Sequence, residues 1–592
     1  MTDVTHTLEL AGLDAAQGSN LTHSDLDYSW LCANARPVDL DGPTDIPFDR
    51  FGDDAIQSSI VSRFQAIAGR YATRIAIDDG KTRLTYAEVR RIICHLARRV
   101  ETVVPAARPV AIVLPNAALF PVAALACLAV GRPYVPIDLD YPTARNAEIL
   151  REAGAAAAII QSGLPAASAL VPTSLPSIDI TEPLYAPDEP PLDPVDTGGP
   201  AIILFTSGST GRPKGICNAQ SALLLRIAQY TNACHLHAED RFILLSSPST
   251  IAGVRDTFAA LLNGATLHIA ELRRIGIGGV QQVMRDERIS VYYSVPSVLR
   301  SVLGGSGAKA AVASLRIVRL GGDTTLEADM ALFQAVLPPT CRILVGFGST
   351  EAPTVFQWFA RPGMGDGLRV PCGLPVPDVA FALVGQDGAP VPAGEIGELV
   401  VRSRHVALGL WQDGRLWPGP FKRDRLNPAV RILHTGDLCR IRPDGMAELC
   451  GRKDRQVKIR GLRVDPGEVE AALRRCQGVA DAAVIVRSEN SMDVALVGFV
   501  VAQPWATRLD NKDLRDAVSA WLPVQKCPAI IRLIEEIPRL PSFKPDLTTL
   551  AALDLAQRST KDAAEPRSLA TRSALWKTQA GFVEGTSAGD VG

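Results

Sequence analysis

The stretch ILFTSGSTGRPKGI, Ile203 to Ile216, sets Gly208, Gly211 and Gly215 among serines, threonines, an arginine and a lysine behind a short apolar run. Ala201 to Phe205 reads as a buried strand. SALLLRIAQY, from Ser221, carries an apolar face at helical spacing, so the loop is expected to join a strand to a helix. Glycines there let backbone N–H groups approach an anion closely, and Lys214 adds a point charge. The ATPase pattern G-x-x-x-x-G-K-[ST] is absent, because Arg212-Pro213 follow Gly211 and Gly215 follows Lys214. The stretch therefore reads as a phosphate loop of another kind, with a plain surface turn as the competing reading.

Working outward, helical and strand-like stretches alternate from SSIVSRFQAIA onward. RIAIDD, the helix after LTYAEV, PVAIVLP, the apolar run from Leu119 to Val130 and AAAAIIQ follow one another as in an α/β domain with a largely parallel sheet. The Leu119 run falls well short of the roughly 20 residues that span a bilayer and reads as a core helix. Pro183 to Pro200 is a proline-rich connector into the phosphate loop.

The style changes at CGRKDRQVKIRGLRVDPGEVEAALRRCQG, Cys450 to Gly478. Val457 to Ile459 and Leu462 to Val464 read as short strands around Arg460-Gly461. Asp465 is expected as N-cap, Pro466 as first helical residue and Glu468 as the reciprocal cap. Val469, Ala472, Leu473 and Cys476 share a face. Strands in AAVIV, VALVGFVV and AIIRLI and a helix near Leu514 complete a small α+β unit. The expected organisation is an extension over residues 1–45, a large domain over 46–453, a small domain over 454–555, and a tail or the start of a further domain over 556–592.

Composition narrows the function classes. The 592 residues include 61 basic and 63 acidic ones, which predicts no general attraction to nucleic acid or anionic membrane. The basic run near Arg460 is interleaved with acids and lacks an aromatic platform. Eleven cysteines are scattered with no C-x-x-C pair, against a zinc knuckle or a disulfide framework, so a cytoplasmic setting is expected. The start MTDVTHTLELAGLDAAQ lacks the basic and apolar regions of a signal peptide.

Several segments in order resemble the adenylate-forming enzymes, the family of nonribosomal peptide synthetase adenylation domains, acyl-CoA synthetases and luciferases. They are LTYAEV at Leu84, GRPYVPIDLDYP at Gly131, the opening loop, LLNGATL at Leu261 and GFGSTEAP at Gly346. GELVVRSRHVALGLW at Gly397, HTGDL at His434, GRKDRQVKIRGLRVDPGEVE at Gly451 and IPRLPSFKPDL at Ile537 follow. The resemblance covers about residues 50 to 550, and YVPIDLDYP is most like the peptide-synthetase branch.

It implies an α/β fold with a large multi-layer N-terminal adenylation domain and a small mobile α+β C-terminal domain. It also implies an AMP-forming acid–thiol ligase. A carboxylate attacks the α-phosphate of ATP, pyrophosphate leaves with Mg²⁺, and the acyl-adenylate passes to the phosphopantetheine thiol of a carrier protein. Acyl-CoA synthesis, or nucleotide binding without turnover, are the alternatives. By the same resemblance Thr206, Ser207, Ser209, Thr210 and Lys214 would handle the outer phosphates. Phe347 would lie against adenine, with Gly321 and Gly322 giving backbone room. Thr350 would sit beside the α-phosphate, Glu351 would hold Mg²⁺, and Asp437 with Arg452 would meet the ribose. Lys544 would bridge the carboxylate and α-phosphate, although Ser542-Phe543 replace the usual Asn-Gly before it, and a solvated surface lysine is the other reading. Asp454 matches the hinge.

The acid pocket would comprise Ile251, Ala252, Arg255, Tyr293, Arg319, Gly321, Gly346, Thr354 and Val355. Ile251 stands where α-amino-acid-activating domains place an aspartate for the substrate ammonium. The preferred acid is therefore expected to lack a conventional α-ammonium, unless Asp256 or Asp323 does the pairing. Arg255 and Arg319 would hold a second carboxylate or keto oxygen, or else Arg255 pairs with Asp256. Gln220 and Ser349 stand where the family often has histidine and proline. RSLATRSALWKTQAGFVEG, near the C-terminus, resembles the first helix of a carrier domain.

Overall fold

The computed structural model describes residues 37–181, 195–206, 213–305, 307–363, 369–392, 394–453, 455–459, 461–488, 494–503, 506, 509–538 and 545–562. The chain divides into two compact units, Met1–Ala472 with Asp516–Cys527, and Leu473–Arg515 with Pro528–Gly592. Among the described residues no helix is long and apolar enough to cross a membrane.

The large unit is built on β-sheets flanked by helices. In one sheet, Ile75–Asp78, Thr266–Ile269, Arg241–Leu244, Val291–Ser294, Ile317–Leu320 and Arg342–Phe347 lie side by side and parallel. Antiparallel strands Arg83–Thr85 and Phe356–Ala360 flank them. In a second sheet, Pro200–Thr206, Tyr134–Pro136, Val110–Ile112, Ala157–Ile160 and Ser177–Asp179 are parallel. A third, antiparallel sheet contains Ala380–Val384, Gly397–Ser403 and Arg431–Ile441, and Ala447–Arg452 pairs with the last of these.

Local chemistry explains the helices. Thr85 N-caps helix Tyr86–Val103, its hydroxyl accepting from Glu88 N at 3.3 Å while Glu88 Oε2 accepts from Thr85 N at 2.7 Å. Helix Leu119–Ala129 is apolar all round and buried from Phe120 to Ala129, as a core helix must be.

Two expectations are corrected. The opening loop does not lead straight into a helix: strand Lys214–Ala219 returns antiparallel to Pro200–Thr206 before helix Gln220–Cys234 begins. Strands Pro200–Thr206 and Lys214–Ala219 thus form an antiparallel pair, and the helix begins only after the second of them. Glu468 is not a reciprocal cap. Asp465 Oδ1 accepts from Gly467 N at 2.8 Å as expected of an N-cap, but the Glu468 carboxylate accepts from Arg145 Nη1 at 2.7 Å and Lys526 Nζ at 3.0 Å. All three side chains are buried. A buried carboxylate with two cations in reach satisfies those charges, which a surface capping box cannot do.

The ribbon Val457–Ile459 with Leu462–Val464 forms as expected. Gly461 turns at φ +80°, and its N–H donates to Asp323 Oδ2 at 3.3 Å. A Cβ there would meet Val295 Cγ1 at 2.2 Å, so glycine is required by conformation and space.

The small unit carries a sheet of Val479–Ser488, Val494–Ala502 and Ile530–Leu533 with helix Leu547–Asp562. Its core includes Ala483, Ile485, Val497, Phe499, Ile537 and Leu550.

Candidate functional site

The candidate residues of the large unit gather at the carboxyl ends of the parallel strands, where open α/β sheets hold their ligands. Tyr293, Arg319 and Leu344 are paired neighbours on Val291–Ser294, Ile317–Leu320 and Arg342–Phe347. Paired residues on adjacent strands share a sheet face, and residues two apart along one strand do too, so Gly346 lies on the face of Tyr293 and Arg319. Gly321 and Gly322 follow directly, and a Cβ on Gly322 would lie 3.4 Å from Tyr293 Oη.

On the phosphate side, Thr206 and Lys214 are register partners where the two strands end next to the connecting segment. Thr206 Oγ1 donates to the Lys214 carbonyl at 3.4 Å. Ser207, Ser209 and Thr210 lie outside the described residues, as do Lys544 and Asp454.

Thr350 and Glu351 follow strand Arg342–Phe347 and are fixed through their backbone. The Thr350 carbonyl accepts from Asn218 Nδ2 at 3.1 Å and Arg226 Nη2 at 3.3 Å. The Glu351 carbonyl accepts from Ala407 N at 2.9 Å. Glu351 Oε1 accepts from Arg463 Nη1 at 2.8 Å. Burial works to raise the Glu351 pKa, but Arg463 together with backbone and Ser349 hydrogen bonds and Arg452 outweighs it, and the carboxyl titrates below its ordinary range. Such an ionised oxygen donor suits a hard divalent cation, provided Arg463 gives way.

A cavity of about 100 Å³ opens beside Phe347, lined also by Gly322, Asp323, Gly346, Cys372 and Lys458. Lys458 Nζ sits 5.4 Å from the Phe347 ring centroid, a cation–π distance. Asp437 and Arg452 face one another across antiparallel strands, with Arg452 Nη1 donating to Asp437 Oδ1 at 2.6 Å. A larger cavity, about 500 Å³, is lined by Asp53, Leu225, Asp378 and His405 and contains none of the candidate residues.

On the acid side, Ile251 and Ala252 open helix Ile251–Leu261, which also carries Arg255 and Asp256. Arg255 Nε donates to Asp256 Oδ1 at 2.9 Å, and Nη2 lies 2.7 Å from the same oxygen. Of the two readings of Arg255, the structure shows the paired one. Burial opposes the Arg255 charge, yet Asp256 with Tyr293 and Tyr230 more than restores it, and the pKa rises. Among the described residues Arg319 has no such hydrogen-bonded carboxylate. Burial, then the neighbouring Arg255, lower its pKa to about 10, leaving it charged at neutral pH. Its Nη2 lies 3.4 Å from Thr354 Oγ1, while Nη1 is buried with no hydrogen-bond partner among the described residues. Val355 is buried beside Thr354, and its N–H donates to the Phe347 carbonyl at 2.9 Å.

Three buried residues of this region are not singled out by the sequence. Arg226 carries a pKa lowered to about 9, by burial and then by Arg255. Tyr230, one helical turn on, lies 4.6 Å from Arg319 Cζ and 5.3 Å from Arg255 Cζ, ring centroid to carbon. Gln357 is the register partner of Gly346. Their signal is weak, since a buried tyrosine or glutamine on an apolar helix or strand gives no motif. Gln220 is structural: Oε1 accepts from Ile60 N at 3.1 Å and Nε2 donates to the Leu128 carbonyl at 3.3 Å.

Comparison with known proteins shows the family and the fold. The profile of the AMP-binding enzyme family matches residues 64–411, and that of the AMP-binding enzyme C-terminal domain matches residues 468–544. The probable non-canonical nonribosomal peptide synthetase CymA of Salinispora arenicola is 32% identical over 512 residues, 84% of this chain and 6% of that protein. N-(5-amino-5-carboxypentanoyl)-L-cysteinyl-D-valine synthase of Amycolatopsis lactamdurans is 33% identical over 518 residues, 83% of this chain and 14% of that protein. The chain thus spans less than a fifth of either relative. Among solved structures, that of holo-PA1221, a nonribosomal peptide synthetase protein containing adenylation and PCP domains, superposes with TM-score 0.70. It is 23% identical, over 83% of this chain and 84% of that one, and so shares the fold.

Proposed function

The chain belongs to the AMP-binding enzyme family, and from that we propose that it activates a carboxylic acid lacking a conventional α-ammonium, as the acyl-adenylate, and hands the acyl group to a carrier-protein thiol. Asn218 and Arg226 hold the Thr350 carbonyl, which keeps Thr350 in place to meet the α-phosphate. Thr206, Ser207, Ser209, Thr210 and Lys214 receive the outer phosphates. Asp437 accepts from the ribose hydroxyls, with Arg452 orienting it. Phe347 packs on adenine across Gly321 and Gly322. Glu351 is the residue that would hold Mg²⁺, which when bound neutralises phosphate charge. Lys544 delivers a cation to the oxygen between carboxylate and α-phosphate, where negative charge grows in the transition state. Asp454 is the hinge about which the 454–555 domain reorients for thiol attack.

The observation that carries the substrate reading is that both carboxylates able to replace the missing aspartate at Ile251 are already engaged. Asp256 is paired with Arg255, and Asp323 accepts from Thr324 N at 2.8 Å and Gly461 N at 3.3 Å. An ammonium would enter a buried site that already holds Arg226, Arg255 and Arg319, at a cost of several kcal/mol, about 3–5 by analogy with a broken buried ion pair.

ATP–pyrophosphate exchange over matched α-amino, keto, hydroxy and des-amino acids tests this, with Lys544→Ala as control. Exchange with acids lacking the amine, lost in the variant, is the expected outcome. Best exchange with an ordinary α-amino acid would remove the pocket reading, and none with any acid would favour a nucleotide-binding module without turnover. Acylation of carrier protein rather than free coenzyme A separates the proposal from an acyl-CoA synthetase.

A further inference from the structure

We propose that the acid carries a second anionic group, a distal carboxylate received by Arg319, Tyr230 and Gln357; this rests on the adenylation reading above. The acid pocket is unbalanced in charge. Arg226 and Arg319 are buried, Arg255 has a side chain 11% accessible, and Asp256, the carboxylate hydrogen-bonded among them, is taken by Arg255. The Arg255–Asp256 pair is close to neutral, which leaves Arg319, only 3% exposed, without a carboxylate of its own among the described residues. Leaving a buried cation without a counter-charge is costly, and the cost is recovered when an anion enters.

The hydrogen-bond inventory points the same way. Arg319 Nη1, Tyr230 Oη and the Gln357 side-chain amide are all buried without a partner among the described residues. Gln357 lies opposite Gly346, and Gly346 shares a sheet face with Arg319. The Tyr230 ring packs on the Arg319 guanidinium. Three unmet donors therefore belong to one neighbourhood, and a carboxylate, with two oxygens and about four acceptor sites, accepts from all of them. A methyl group satisfies none, and an ammonium adds donors to donors. Glycine at 346 keeps the approach clear, because a Cβ there would lie 3.4 Å from Arg319 Nη2. The substrate class is thus a short dicarboxylic acid, with one carboxylate activated and the other held.

The test compares succinate, glutarate and 2-oxoglutarate with butyrate and valerate on the full chain, by exchange and by calorimetric binding. Wild type is expected to prefer the dicarboxylates by about 10²-fold. Arg319→Met should raise the dicarboxylate KM by a similar factor and the monocarboxylate KM by much less, while Arg319→Lys recovers part of the loss. Tyr230→Phe, a milder change, should cost roughly tenfold on dicarboxylates and less on monocarboxylates. Equal use of both acid classes by wild type, or equal losses on both in Arg319→Met, would overturn the inference while leaving adenylation intact. Dicarboxylate binding that depends on Arg319, without any exchange, would uphold it and sink the adenylation reading. No dicarboxylate binding at all would overturn it outright.

Discussion

Arg463 Nη1 donates to Glu351 Oε1 at 2.8 Å, so the carboxylate proposed to hold the divalent cation is occupied by a guanidinium of the Leu462–Val464 strand. The guanidinium neutralises charge that the carboxylate would offer a cation and repels the cation itself, so the ribbon's docked position and cation binding oppose each other.

Arg463→Ala should therefore tighten binding of Mg²⁺ with a non-hydrolysable ATP analogue. The pair is partly exposed, with side chains 30% and 15% accessible, so a gain of about 1 kcal/mol, roughly fivefold, is expected. Titration calorimetry at several Mg²⁺ concentrations reads it. Unchanged or weaker binding would mean that Arg463 does not compete for Glu351.

Asp437→Asn removes both the negative charge that Arg452 faces at 2.6 Å and the proposed acceptor for the ribose. Nucleotide affinity should fall roughly 10- to 100-fold, the worth of a hydrogen bond to a charged group. Deoxyribonucleotide analogues provide the control, because the penalty should shrink when the sugar hydroxyl is already missing.

The Arg145–Glu468–Lys526 cluster predicts unequal costs for neighbouring substitutions. Glu468→Gln leaves two buried cations without an anion and should destabilise by about 3–5 kcal/mol, read by urea unfolding. Lys526→Met keeps the Arg145–Glu468 pair and should stay within about 1 kcal/mol of wild type. Burial works to raise the Glu468 pKa, but Lys526 and Arg145 hold it below the ordinary range. Its stabilising share is therefore present above about pH 4.5 and lost as the pH falls below that value.

Two buried histidines give a milder acid response. His268 and His405 each have a pKa lowered to about 4, His268 by burial and then Arg241, His405 by burial and then Arg404. Asp78 and Glu287 also face His268, at 3.7 and 3.9 Å. The folded state keeps both imidazoles neutral while the unfolded chain protonates them near pH 6.5. The unfolded state thus binds more protons in that window, and stability should fall as pH drops from about 6.5 to 4. His405→Gln should flatten the slope of unfolding free energy against pH by about one proton, and an unchanged slope would deny that this histidine is buried neutral.

Local signals are legible where they close on themselves. The Asp465 cap, the Leu119 core helix and the Gly461 turn all depend on residues a few positions apart. Lys214–Ala219 hides in the loop because KGICNA is too short to show periodicity. Glu468 fits a capping pattern, and only the fold reveals that Arg145, 323 positions away, claims it. Adjacency makes the Arg255–Asp256 pairing one of two readable options. Tyr230 and Gln357 stay invisible because their place depends on strand register and helix packing.

The Arg145–Glu468–Lys526 cluster also bears on how this sequence can drift. Three positions on separate segments share one anion, so their substitutions are epistatic and their order matters. Lys526 can be lost first at little cost, whereas loss of Glu468 is tolerated only after the cations have gone. Among descendants of this sequence, a neutral residue at 468 should then occur only alongside uncharged residues at 145 and 526.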